Sequence, residues 1–319
     1  MTDLRCVTLN GYRVAYRDEG DRVAQPLLLI HGVAGCSGAW DPLIGHLSQK
    51  YRVIAPDLLG HGESDKPRTD YSLGAFAVML RDFLDVLDIP SATLVGHSLG
   101  GGIALQLVHQ HREYCRRLVL VNSGGLGSDV GLPLRVLSAP GAELLLALIS
   151  SRPALYFGWT VWPKISTRSM EPTRALERRE KYSALANPQV RHAFLRTLRS
   201  VVDIRGQSVC ALDRLPDLVG DLPTLIVAGA QDRVIPPAHA QAAHEVLAGS
   251  RLEILDGAGH HPQLDCPLEL ADLIEEFVSA DNVRMLPRRG LPRLWRPTRH
   301  GEPRPEDVPS SSASSGRPA

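Results

Sequence analysis

The sequence predicts an α/β protein, with a mostly parallel, doubly wound sheet that carries a helical insertion. Three observations predict it. Short β-branched or leucine-rich runs alternate with longer segments of helical period, the pattern of parallel strands joined by covering helices. That alternation stops between about Gly125 and Ser208, where helical segments rich in Leu, Ala and Arg take over, and it resumes afterwards. The composition is globular, with 44% of 319 residues hydrophobic and 22% charged, so a core of ordinary size is available.

The N-terminal stretch as far as Tyr16 alternates like a strand. Leu27–Ile30, Arg52–Ala55, Thr93–Val95 and Leu118–Val121 read as buried strands, each a short apolar run closed by Gly, Pro or a polar turn. Between them, Ser37–Lys50, Tyr71–Leu87 and Leu99–His111 have helical spacing. The second series predicts a strand over Thr224–Val227, a helix over Pro236–Leu247, a strand over Leu252–Leu255 and a helix over Leu268–Val278. From Asp281 the chain is dominated by Arg, Pro and Ser and ends SSSASSGRPA, too few apolar groups to offset the entropy of ordering. The expected organisation is therefore a core of residues 1–124 and 208–280, a helical cap over 125–207, and a disordered tail over 281–319.

Lys and Arg number 35 against 35 Asp and Glu, which removes the net field that nucleic acids or anionic membranes exploit, so a small-molecule partner is expected. Cys6, Cys36, Cys115, Cys210 and Cys266 are widely spaced, odd in number and never paired as C-x-x-C, which argues against zinc and against a disulfide framework. No basic-then-apolar leader opens the chain, and the apolar stretch Ala139–Pro163 is broken by Glu143, Arg152 and prolines, so the expectation is a cytoplasmic protein without membrane insertion. No phosphate loop or metal-ligand cluster is visible, and no cofactor is expected. A homodimer is left open.

Chemistry concentrates in Gly96-His97-Ser98-Leu99-Gly100, set directly between a predicted strand and a predicted helix. G-x-S-x-G in that context is a nucleophile elbow: the turn is tight enough to demand glycine neighbours, and it lifts the serine oxygen above the sheet beside a helix N-terminus. A serine hydroxyl needs a base and the base needs an orienting acid. Asp232 lies in the turn Gly229-Ala230-Gln231-Asp232 after one downstream strand, and Gly257-Ala258-Gly259-His260-His261-Pro262 follows the last. Ser98, Asp232 and His260 thus fall in the order Ser, Asp, His. His260 is preferred to His261 as the base, and His97 is read as supporting. His109, His111, His239 and His244 fall on predicted helix faces and are expected to be solvated.

On these motifs the chain resembles the α/β-hydrolases, in the form where a helical lid is inserted after the sixth strand, and the resemblance runs from about Val7 to Val278. It extends to His31-Gly32-Val33-Ala34-Gly35 after the third strand and to Asp57-Leu58-Leu59-Gly60-His61-Gly62-Glu63-Ser64 after the fourth. The resemblance implies an oxyanion hole from the backbone amides of Val33 and Leu99, with His31 pinning its loop. Some members carry their acid after the sixth strand, where this chain has Asn122-Ser123 and no carboxylate before Asp129. Ser98 excludes the aspartate-nucleophile chemistry of epoxide and haloalkane hydrolysis. The nearest members in kind are small esterases and lidded carbon–carbon bond hydrolases, and Asn122-Ser123-Gly124-Gly125-Leu126-Gly127 is similar to the latter. The expected activity is a carboxylesterase forming an acyl-enzyme on Ser98, with Trp159 and Trp162 of the lid lining the substrate site. The alternatives are a meta-cleavage-product type carbon–carbon hydrolase and a ligand-binding member with little turnover.

Overall fold

Asn10 and Gly11 both adopt left-handed backbone angles, φ 50° and 86°, the pair of conformations that closes a two-residue hairpin with the natural twist of its strands. The turn joins β1 (Arg5–Leu9) to β2 (Tyr12–Glu19), where the sequence pattern alone suggests one strand. The computed structural model describes residues 3–151, 154 and 184–280. In it β2 runs antiparallel to β4 (Arg52–Pro56). Every later pairing is parallel, through β3 (Pro26–Ile30), β5 (Ala92–His97), β6 (Cys115–Val121), β7 (Thr224–Gly229) and β8 (Arg251–Leu255). The sheet order is β1-β2-β4-β3-β5-β6-β7-β8. The strands expected from the sequence all form, most of them a residue or more longer.

Strand periodicity divides the core into two apolar layers. Leu28, Ile30, Ile54, Leu94 and Leu120 face one side, where they pack with Phe76, Leu80 and Phe83 of α2 (Leu73–Val86) and Ile103 and Leu107 of α3 (Leu99–Gln110). Their neighbours Leu27, Leu29, Val53, Val95 and Val119 face the other. There they meet Leu43, Ile44 and Leu47 of α1 (Asp41–Leu47), together with Leu270 and Ile274 from the helix Pro267–Ser279. The single helix expected over Ser37–Lys50 is instead a 3-10 turn, Ser37–Trp40, followed by α1. Pro42 has no amide to donate and is tolerated only in the first turn, so the α-helix starts at Asp41.

Between β6 and β7 the described chain contains α4 (Leu132–Ser138), α5 (Ala142–Ile149) and α6 (Pro188–Val201). The α6 helix opens on a capping contact, Asn187 Oδ1 accepting the Gln189 amide at 2.9 Å. Its Phe194, Leu195 and Leu198 join Ala142, Leu146 and Val130 in a third apolar cluster, against which Val33, Ala34 and Val234 of the core loops are packed. Residues 155–183, and with them Trp159 and Trp162, lie outside the described residues, as does the segment from 281 onward. A short helix, α7 (Leu215–Val219), leads into β7, and α8 (Ala238–Val246), α9 (Pro262–Asp265) and α10 (Pro267–Ser279) come after it.

Two histidines depart from the expectation of solvated helix faces. His239, in the first turn of α8, is buried against Gly127 at the start of the insertion, close enough that a Cβ there would meet its ring at 2.4 Å. His111 sits past the end of α3, half-buried on the Tyr114 ring, and burial lowers its pKa. Helical periodicity places a residue on a face but does not say what packs there. None of the five cysteines is in a disulfide. Among the described residues no single helix is long and apolar enough to cross a membrane, and no group of three or more His, Cys, Asp or Glu could hold a metal ion.

Candidate active site

The elbow between β5 and α3 holds Ser98 at φ 54° and ψ −118°, a conformation that costs an L-residue energy and persists only where its surroundings enforce it. They do so through close backbone packing. A Cβ on Gly96 would lie 2.4 Å from the Gly100 carbonyl, and one on Gly100 would lie 2.1 Å from the Ile30 carbonyl. The elbow therefore closes only with glycine at both positions, and it brings the loop after β3 onto the serine.

That loop is braced from beneath. The His31 Nδ1–H donates to the Gly32 carbonyl at 2.8 Å, and Nε2 accepts the Leu58 amide at 3.1 Å, which fixes one neutral tautomer. Asp57 accepts the amides of Ser37 at 2.6 Å and Glu63 at 2.7 Å, so the turns after β3 and β4 share one buried carboxylate. Val33 is thereby set beside Ser98 in the walls of two cavities. Leu99, the first residue of α3, has an amide for which the helix supplies no acceptor.

His260 Nε2 stands 3.2 Å from Ser98 Oγ, and its Nδ1–H donates to Asp232 Oδ2 at 2.8 Å. The other Asp232 oxygen accepts the amides of Val234 at 2.7 Å and Ile235 at 3.0 Å, so the carboxylate is fully buried yet hydrogen-bonded on both sides. The structure thus brings together Ser98, Asp232, His260, Val33 and Leu99. His261 lies alongside, its ring centroid 5.1 Å from that of His260. His97 Nε2 donates to the His260 carbonyl at 2.7 Å, a supporting contact as expected. Asp129 lies 3.7 Å from His239.

Two cavities meet at Ser98. One, of about 50 Å³, is lined by Val130, Leu134, Leu198, Val201, Val209 and Ile235. The other, of about 460 Å³, is walled by His97, His260, His261, Arg233, Gln263 and again Leu134. The family model described as the alpha/beta hydrolase fold matches residues 25–267. The chain belongs to the alpha/beta hydrolase family. Its eight-stranded, mostly parallel sheet is that of an alpha/beta hydrolase. It is 43% identical over 298 residues to an uncharacterized protein of Mycobacterium tuberculosis, covering 91% of this chain and 85% of that one. It is 29% identical over 277 residues to a 2-hydroxymuconate semialdehyde hydrolase of Pseudomonas putida, covering 84% and 92%. The crystal structure of an esterase from Rhodococcus sp. ECU1013 is similar with a TM-score of 0.65 at 25% identity, over 88% of this chain and 99% of that one. Esterases and meta-cleavage product hydrolases both occur among its structural neighbours.

Sequence reasoning passed over one buried polar side chain at this hydrolase's site. Asn122, the residue after β6, accepts the Gly229 amide through Oδ1 and donates to the Gly259 carbonyl through Nδ2, both at 2.8 Å. In the sequence it reads as a position without a carboxylate and as the first residue of Asn122–Gly127, and neither reading gives its partners. The apolar wall from α4 and α6 also lacked a local signal, because Leu134 and Leu198 look like any helix-core leucines.

Proposed function

We propose that the protein is a serine hydrolase of small apolar carboxylic esters, working through an acyl-enzyme on Ser98. The observation that carries this is the unbroken relay from Ser98 Oγ through His260 to the buried Asp232 carboxylate, set where an apolar and a more polar cavity meet. As the Ser98 oxygen attacks the ester carbonyl, His260 Nε2 takes its proton, and the imidazolium that forms is stabilised across Nδ1 by Asp232. The amides of Val33 and Leu99 meet the oxyanion. His260 returns the proton to the leaving alcohol, and water, activated by the same base, then releases the acid.

The narrow apolar cavity suits a short acyl chain, and the larger one suits the alcohol and the incoming water. The described residues of 125–207 serve as a cap, their apolar cluster resting on the loops bearing Val33 and Val234. A panel of p-nitrophenyl esters tests the reading: purified protein turns over short-chain members, and Ser98→Ala loses about three or more orders of magnitude in kcat while keeping its melting temperature. Retained turnover in Ser98→Ala would refute the assignment.

A second reading, cleavage of a carbon–carbon bond in a vinylogous diketone acid, is favoured by the likeness to the 2-hydroxymuconate semialdehyde hydrolase. It uses the same relay, and it predicts that such a substrate is processed with a kcat/KM above that of every ester in the panel.

A further inference from the structure

We propose that Asn122 is a positioning residue that holds the acid turn and the base loop in register, so that His260 reaches both Asp232 and Ser98. This rests on the serine-hydrolase reading of the site. Asn122 is 3% exposed, and its own amide donates to the Val227 carbonyl at 2.9 Å, which anchors it to the end of β7. From there one side chain spans the two loops. Gly229, whose amide it accepts, opens the turn that ends at Asp232, where the Asp232 amide returns to the Gly229 carbonyl at 3.1 Å. Gly259, whose carbonyl it caps, is the residue immediately before His260.

The task requires a donor and an acceptor at separate atoms of one short side chain, which a carboxamide provides and a carboxylate does not. The left-handed backbone at this position, φ 42°, is one that Asn tolerates better than most residues. The two loops approach so closely that a Cβ on Gly229 would lie 2.3 Å from the Gly259 carbonyl, so nothing larger than the amide bridge intervenes there. On the elbow side, His97 holds the next carbonyl, that of His260, at 2.7 Å. Two consecutive carbonyls of the base loop are therefore tied to side chains at the ends of β6 and β5. The gap they govern is the one between His260 Nε2 and Ser98 Oγ, and a misplacement of about 1 Å there is worth on the order of a hundredfold in rate.

The loops also share backbone bonds, Ala230 to the Leu255 carbonyl and Gln231 to the Ala258 carbonyl, both at 3.0 Å, so variants at Asn122 keep a folded site. The test measures kcat, KM and melting temperature on p-nitrophenyl acetate for the wild type, Asn122→Ala, Asn122→Asp and Ser98→Ala, with the rate of fluorophosphonate labelling alongside. Asn122→Ala is expected to lower kcat and the labelling rate by about 10- to 100-fold while KM moves less than about threefold. Asn122→Asp, the same in shape but unable to donate to the Gly259 carbonyl, is expected to follow it. A wild-type kcat in both variants, or a loss that appears equally in KM and tracks the melting temperature, would overturn the positioning role. Wild-type turnover in Ser98→Ala would instead overturn the reading of the site, and the clamp with it.

Discussion

His61 shows what a single side chain near this site costs the fold as pH changes. Its Nδ1–H reaches the Leu59 carbonyl at 3.2 Å, but its Nε2 is buried without a hydrogen-bond partner. Burial, reinforced by the neighbouring His31, pushes its pKa down to about 3. Once unfolded, the imidazole takes a proton near ~6.5. Below that pH the unfolded chain binds a proton that the native state refuses, so stability is lost as the pH falls from there toward 3. One such group accounts for about 2 kcal/mol between pH 6.5 and 5. Urea unfolding at the two pH values should therefore show a smaller acid loss in His61→Gln than in the wild type, by about that amount. Equal losses would mean that other groups dominate the acid lability.

At the scale of an element, α6 does two jobs with one face. Leu198 is 1% exposed within the insertion's apolar cluster and also forms a wall of the narrow cavity at Ser98. Truncating it to Ala removes buried contacts worth about 2–5 kcal/mol and opens room beside the acyl group. Leu198→Ala should therefore melt at a lower temperature and shift its kcat/KM optimum toward longer acyl chains in an acetate-to-octanoate series. A lowered melting temperature with an unchanged chain-length profile would show that α6 only packs the cap and does not shape the acyl site.

For the whole molecule, what the sequence revealed was what local spacing encodes. The elbow was legible because Gly96, Ser98 and Gly100 sit between a strand run and a helix run, and the acid and base turns were legible because each follows a strand in the same way. The N-terminal hairpin was missed although Asn10-Gly11 signals it, because the apolar alternation continues across the turn. Burial of His239 was missed because its partner, Gly127, is far away in sequence. Asn122 was out of reach for the same reason, its two partners being 107 and 137 residues along the chain. Long-range packing of this kind appears only once the sheet has placed the loops together. The central claim, that the assembled loops make Ser98 a nucleophile, is tested most directly by rapid-quench mass spectrometry of the Asp82–Arg112 tryptic peptide during turnover of p-nitrophenyl butyrate. A butyryl mass on that peptide, absent in Ser98→Ala, is the predicted result; steady ester turnover with the peptide unmodified and Ser98→Ala still active would contradict it.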